Sequence, residues 1–350
     1  MTSTFQAVVF RILPLSVMLG AAVVGAAAGP AFTERIAAVP WLVSLLVVGL
    51  PHGAADLAVA RRLGRPSAAR AFAAYLAGIV AVLGLFAAAP VPLIVLFATL
   101  SIWHFGMGHA DGQAPPPGCG LVDRGCAALG RGALVLGVPL AVWPDATATV
   151  VQRLVELVGG PGQIALARSV FVPGPIHRVG IGIIAAGVAA LGVEAWRSRR
   201  SPAALHRLRA TVVDLAVVTL LGVATHPLFA VGVYFLVWHA WRHLAVLAPV
   251  VAGVEPHDGR SLWAALVRLH TAALPLLIPT WVVMLVAWDR LSPDHSWRDL
   301  AILSLAVYLV VTPSHDRLVD LLRLHADPPA APEPSAVRTS CAARLACEPT

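Results

Sequence analysis

Imidazole is costly to place in hydrocarbon, yet three of the most apolar stretches of this chain carry it. They are Gly49-Leu50-Pro51-His52-Gly53-Ala54-Ala55-Asp56, Ser101-Ile102-Trp103-His104-Phe105-Gly106 and Tyr234-Phe235-Leu236-Val237-Trp238-His239-Ala240-Trp241-Arg242-His243. A metal-competent side chain at membrane depth is a functional-site candidate by default. His239 and His243 stand at i and i+4, so on a helix they share a face one turn apart and can grip one ion. Neutral imidazole nitrogen suits iron, copper, zinc or nickel. His52 and Asp56 repeat that spacing, and a carboxylate so placed can accept a hydrogen bond from a ligand histidine and fix its tautomer. Pro51 and Gly53 predict a kinked or loosened helix around His52.

The remaining candidates play smaller parts. His104 is deeper than His109, so His104 is the expected ligand and His109 a solvated or supporting group ahead of Asp111. His315, in Thr312-Pro313-Ser314-His315, is a supporting candidate, and His270 a candidate for a cavity wall. Trp103, Tyr234, Phe235 and Trp238 flank the histidines; they suit an apolar tunnel, and helix packing or interfacial anchoring explains them equally well. A carboxylate-rich di-iron centre would want Glu-x-x-His pairs on facing helices, and no glutamate stands near these histidines. Haem stays possible, although two histidines one turn apart on one face fit a single compact ion better. A proton relay of His52, Asp56, His104 and His243, as in a transporter, would be spread along the membrane normal. The residues alone therefore favour a mononuclear, histidine-rich site and leave the metal open.

Such a site needs helices that cross a membrane. The 350 residues are 58% hydrophobic and 12% charged, with mean hydropathy +0.81, whereas a soluble domain is about one quarter charged. Runs rich in Leu, Val and Ala favour spanning helices over the alternating strands of a barrel. The expected fold is all-α, one polytopic transmembrane bundle over residues 1–326 with about ten spans (eight to ten). Their approximate limits are 8–29, 37–60, 70–89, 91–108, 127–143, 176–195, 211–226, 228–249, 263–288 and 299–313. A modest amphipathic stretch around Val150 to Val158 is expected at the interface rather than across it. Residues 327–350, rich in Pro, Ala and Ser, are expected to form a disordered cytoplasmic tail. The first apolar run is long enough for a span and is not read as a cleavable signal.

All basic residues are arginine, and the net charge is +7. All but Arg35, Arg153, Arg168, Arg178, Arg290 and Arg298 fall on one side of the expected bundle. The positive-inside rule then makes that side, and both termini, cytoplasmic in the cell's inner (plasma) membrane, and it explains the charge without a nucleic-acid partner. Cys119 with Cys126 and Cys341 with Cys347 form no disulfide framework or usual zinc spacing. In this orientation His52, His104, His239, His243 and His315 fall at similar depth in the cytoplasmic half.

The motifs Pro51-His52-Gly53-Ala54-Ala55-Asp56, Ser101 to Gly106 and Tyr234 to His243, in this order, resemble the Brp/Blh family of integral-membrane β-carotene 15,15′-dioxygenases over roughly residues 40–320. The resemblance implies a non-haem Fe²⁺ enzyme that cleaves the central double bond of β-carotene with O₂ to give two all-trans-retinal. It implies His52, His104, His239 and His243 as iron ligands. It also points to a lipid-embedded tunnel as the protein's main contribution, and to a functional link with a retinal-binding rhodopsin. Two departures from the family pattern stand out. Met107-Gly108-His109 intervenes before Asp111, and Ser314 separates Pro313 from His315. The competing readings are a metal-dependent membrane oxidase acting on another carotenoid or lipid, and the proton-coupled transporter.

Overall fold

The computed structural model of the chain describes residues 4–62, 68–110, 121–199 and 201–326; the tail from 327 and Asp111 lie outside the described residues. The described chain is helical throughout. In chain order the helices are α1 (Thr4–Ala28), α2 (Pro30–Ala54), α3 (Asp56–Arg62), α4 (Ala68–Ala88), α5 (Pro90–Ala110), α6 (Leu121–Val142) and α7 (Pro144–Val158). They continue with α8 (Pro161–Val170), α9 (Pro173–Ser198), α10 (Pro202–Ala224), α11 (Pro227–Ala252), α12 (Gly259–Leu291) and α13 (Trp297–Ala326). Among the described residues eight helical runs are long and apolar enough to cross a membrane, within α1, α2, α5, α6, α9, α11, α12 and α13. A shorter apolar run, Leu76–Ala88, lies in α4, so the described residues support the lower end of the expected eight to ten. This is a membrane protein.

Many helices begin on proline, which lacks the N–H that a first turn leaves unpaired anyway; Pro90, Pro144, Pro173, Pro202 and Pro227 all do so. α12 starts instead on a capping box, with Asp258 accepting from the Ser261 N–H at 2.7 Å. Hydrogen bonds from Ser261, its backbone N–H foremost, hold the Asp258 carboxyl below the usual range.

Close contact of α5 with α6 sets the register near the site. A Cβ on Gly106 would strike the backbone of Ala128, and one on Gly132 the backbone of Ile102. The two helices thus run antiparallel with their backbones touching, the close approach that small residues allow in membranes. Continuing that register brings Leu140, near the end of α6, level with Ile94, near the start of α5.

Two helices differ instructively from the sequence expectation. α2 is not one smooth span: it turns at Val47–Val48, resumes at Gly49, and turns again at Ala55 before α3. Pro51 lacks an N–H for the carbonyl four residues back, Val47, and its ring crowds that carbonyl, so the break falls where proline dictates. α13, expected to end near residue 313, continues through Pro313 to Ala326. Hydroxyl back-bonding helps tolerate an interior proline in a membrane helix; here Thr312 Oγ1 donates to the Tyr308 carbonyl at 2.7 Å. His315 therefore sits on a helix rather than after one.

Candidate metal centre

The site is assembled from four helices, of which α2 is broken and α11 distorted. The α2 break turns His52 inward, and its Nδ1–H donates to the Val48 carbonyl at 3.2 Å, leaving Nε2 as the lone-pair nitrogen. α11 winds as a π-helix over Tyr234–Ala240; such bulges are frequent at functional sites. This segment presents His239, and the α-turn after it presents His243, the two rings nearly parallel with centroids 6.0 Å apart. α5 contributes His104, whose Nε2 faces the His239 Nε2 at 2.9 Å, one ring donating to the other. α13 contributes His315, whose Nδ1–H donates to both Asp56 carboxylate oxygens at 3.0 Å. That bond fixes the tautomer and leaves Nε2 of His315 as the lone-pair nitrogen.

All five imidazoles are buried, with at most 8% of the residue exposed. Ring centroids lie from 4.5 Å (His104–His239) through 5.1 Å (His52–His315) and 5.6 Å (His52–His243, His104–His315) to 6.0 Å (His239–His243). Two imidazoles bound to one ion at ~2.1 Å would hold their centroids roughly 4.5 Å apart at right angles and roughly 6.4 Å apart when opposed. The observed spacings fall in that window. Among the described residues no three His, Cys, Asp or Glu groups already stand in an ion-holding arrangement; two of the nitrogens meet each other instead. In donor type, burial and ring spacing the residues nevertheless fit a first-row transition metal, with Asp56 behind His315 as the supporting carboxylate such sites use.

The other sequence candidates separate. Phe235 lines the adjoining cavity and stacks on His239 with centroids 5.5 Å apart. Tyr234 is buried behind the site, edge-on to Phe105 at 5.3 Å, and Trp238 is buried with the Arg242 guanidinium 4.2 Å from its ring centroid. Trp103 faces outward, 44% exposed. The backbone of His109 lies in the last turn of α5; its side chain is outside the described residues. His270 is not on the cavity wall: it faces the Leu46 carbonyl at 3.2 Å. That carbonyl lies at the α2 break, and the neighbouring Leu45 carbonyl accepts from Trp281 Nε1 at 3.1 Å. α12 thus supplies a donor, Trp281, for a carbonyl at the interruption.

Parts of the site carry little signal in the sequence, and Gly108 carries only the small-residue mark of close helix packing. Gly108 lets α5 approach His239: a Cβ there would lie 3.3 Å from the His239 Cε1 and Nδ1. Gly49 faces Ser44 and Phe235 so closely that a Cβ would overlap the Ser44 hydroxyl. A buried polar pair, Ser44 Oγ and Tyr308 OH at 3.1 Å, stands beside the cavity. The Ser44–Tyr308 pair joins residues 264 positions apart, and Gly49 meets Ser44 only because α2 breaks between them.

His52, His104 and His315 open onto a cavity of about 220 Å³, walled almost wholly by apolar side chains from α2, α5, α6, α7, α11 and α13. The arrangement is a set of nitrogen donors at one end of a space that would hold an elongated hydrocarbon.

Residues 43–323 match the family described as Beta-carotene 15,15'-dioxygenase. The chain is 31% identical over 313 residues to "Probable beta-carotene 15,15'-dioxygenase Blh" of Halobacterium salinarum, covering 85% of this chain and 86% of that protein. It is 27% identical over 238 residues to "Probable beta-carotene 15,15'-dioxygenase Brp" of the same species, covering 67% of this chain and 65% of that protein. No solved structure matches.

Proposed function

We propose that this chain, which belongs to the β-carotene 15,15′-dioxygenase family, cleaves the central double bond of β-carotene with O₂. One carbon–carbon and one oxygen–oxygen double bond break and two carbonyl groups form, so one C₄₀ hydrocarbon gives two all-trans-retinal. The observation that carries this reading is the buried cluster of five imidazoles at the end of an apolar cavity. His52, His104, His239 and His243 are the proposed holders of Fe²⁺. His315, oriented by Asp56, is the proposed fifth donor or its support. Fe²⁺ bound there would supply the redox chemistry that lets O₂ react with a closed-shell polyene.

The chain's own work is positioning. Phe235, Tyr308 and Trp41 form an aromatic wall beside the histidines, with Phe235–Tyr308 centroids 4.5 Å apart and Trp41–Phe235 5.9 Å apart. A flat polyene can lie against that wall. Exclusion of water limits competing reactions. An insoluble substrate reaches the cavity from the lipid, in a multi-pass protein of the cell's inner membrane with both termini cytoplasmic. The retinal product would serve a retinal-binding rhodopsin. A proton relay is the weaker reading, since the five rings gather in one cluster beside an apolar space rather than forming a file along the bundle.

The test is expression in a β-carotene-accumulating bacterium, where bleaching with retinal formation is expected. Intact, iron-loaded protein that yields no retinal removes the assignment. His239→Ala should lose both iron and cleavage; full iron occupancy in that variant would take His239 out of the ligand set.

A further inference from the structure

The cavity wall farthest from the histidines is not a membrane span. It is α7, whose Thr147, Val150, Val151 and Leu154 face the cavity at i, i+3, i+4 and i+7, one face of a helix. The α5–α6 register locates it. Leu140 is level with Ile94, and α7 begins just beyond, at Pro144, so it closes the Ile94 end. α13 agrees: Arg153 of α7 pairs with Asp299, at the start of the helix that carries His315 one cavity length later. From His104 back to Ile94, and from His315 back to Leu305, is ten residues, or ~15 Å of helix. That is about the reach of one half of β-carotene, from its central bond to the far edge of its ring.

The wall is also fixed in place. Arg153 holds Asp299 through two hydrogen bonds of 2.9 and 2.7 Å. Trp143 Nε1 donates to the Gly222 carbonyl at 2.9 Å, and Gln152 Nε2 to the Phe171 carbonyl at 2.9 Å. Val150 and Leu154 are buried. A rigid stop at a set distance from the reactive end measures a rod-shaped substrate.

We infer that α7 is the stop that selects the bond to be cleaved: the terminal ring of one carotenoid half seats against Val150 and Leu154, which brings the central double bond, and no neighbour, to the histidines. The inference rests on the reaction proposed above and adds the residues that set its regiochemistry. Enlarging the stop should let the substrate slide deeper. The same balanced cleavage one double bond away then yields an aldehyde longer than retinal and, because the outer carbon of that bond carries a methyl group, a shorter methyl ketone.

The experiment compares wild type with Leu154→Ala, Val150→Ala and Leu154→Trp in membranes supplied with β-carotene and O₂. Products are separated by chromatography, and helix content and iron are measured on each purified protein. Wild type should give retinal alone. The alanine variants should add the longer aldehyde and the shorter methyl ketone. Leu154→Trp should lose retinal formation roughly tenfold or more, the discrimination a hydrophobic pocket draws from small changes of shape. Retinal as the sole product of both alanine variants overturns the inference, whatever the tryptophan variant does. Absence of retinal from the iron-loaded wild type would instead strike the reaction itself.

Discussion

Asp56 and His315 form the most informative residue pair. A buried carboxylate is expensive unless it is hydrogen-bonded, and here both oxygens are engaged by one imidazole N–H. The bond turns the opposite nitrogen of His315 into an acceptor facing His52, His104 and His243. Removing a partner that orients a ligand histidine costs 10–100-fold in metal affinity or activity in well-studied sites. Asp56→Asn is therefore expected to lower iron content or the retinal-forming rate by about that range. Because Asp56 acts through His315, adding Asp56→Asn to His315→Ala should cost nothing further; independent, multiplying losses would refute the coupling. Gly108 makes a separate prediction. A methyl group 3.3 Å from the His239 ring must push that ring, so Gly108→Ala should cut cleavage sharply. Its stability should fall by no more than the ~1–3 kcal/mol of ordinary overpacking, read from a thermal melt beside the rate.

At the scale of elements, the site depends on helices that depart from regularity where their side chains are needed. α2 breaks ahead of His52, and α11 widens into a π-turn at His239. A break in hydrocarbon exposes carbonyls that must find donors. Trp281 of α12 meets one of them, Leu45, at 3.1 Å. Trp281→Phe keeps the ring and removes the donor, and a buried acceptor left unpaired costs about 1–3 kcal/mol. A lowered melting temperature with reduced iron retention is expected; an unchanged melt would show that the indole N–H does not hold the break. These elements also mark where the sequence stops being legible. Pro51 and Gly53 announced a disturbance near His52 because proline chemistry is local. The π-turn of α11 has no such local mark: neither proline nor glycine stands within Tyr234–Ala240. The i, i+3, i+4, i+7 stripe of α7 was visible as amphipathicity, but periodicity says only that a face is apolar, not whether lipid or a cavity meets it.

For the molecule as a whole, the histidines converge only if α2, α5, α11 and α13 run the same way through the membrane. Arginine asymmetry and apolar run lengths made that direction readable, because both are bulk properties of solvation rather than of contact. Contact is what they could not supply: His315 joins the cluster by reaching Asp56, 259 positions away. Fold class and a group of five histidines at one depth, His315 among them as a supporting candidate, were thus legible, while the contact between His315 and Asp56 and the far wall of the cavity were not. The shared direction makes one more prediction. If the arginine-rich side is cytoplasmic, the short turn between α12 and α13 lies on the opposite face of the membrane from the end of α13. Alkaline phosphatase inserted after Pro293 should then be active, and a fluorescent protein fused at the C-terminus should fluoresce. The α7 stop sits at the same end as that turn, joined to it through Arg153 and Asp299, so the insertion also places α7 relative to the cytoplasm. Inactive phosphatase with a dark C-terminal fusion would invert the whole bundle and put the histidines in the outer half of the membrane.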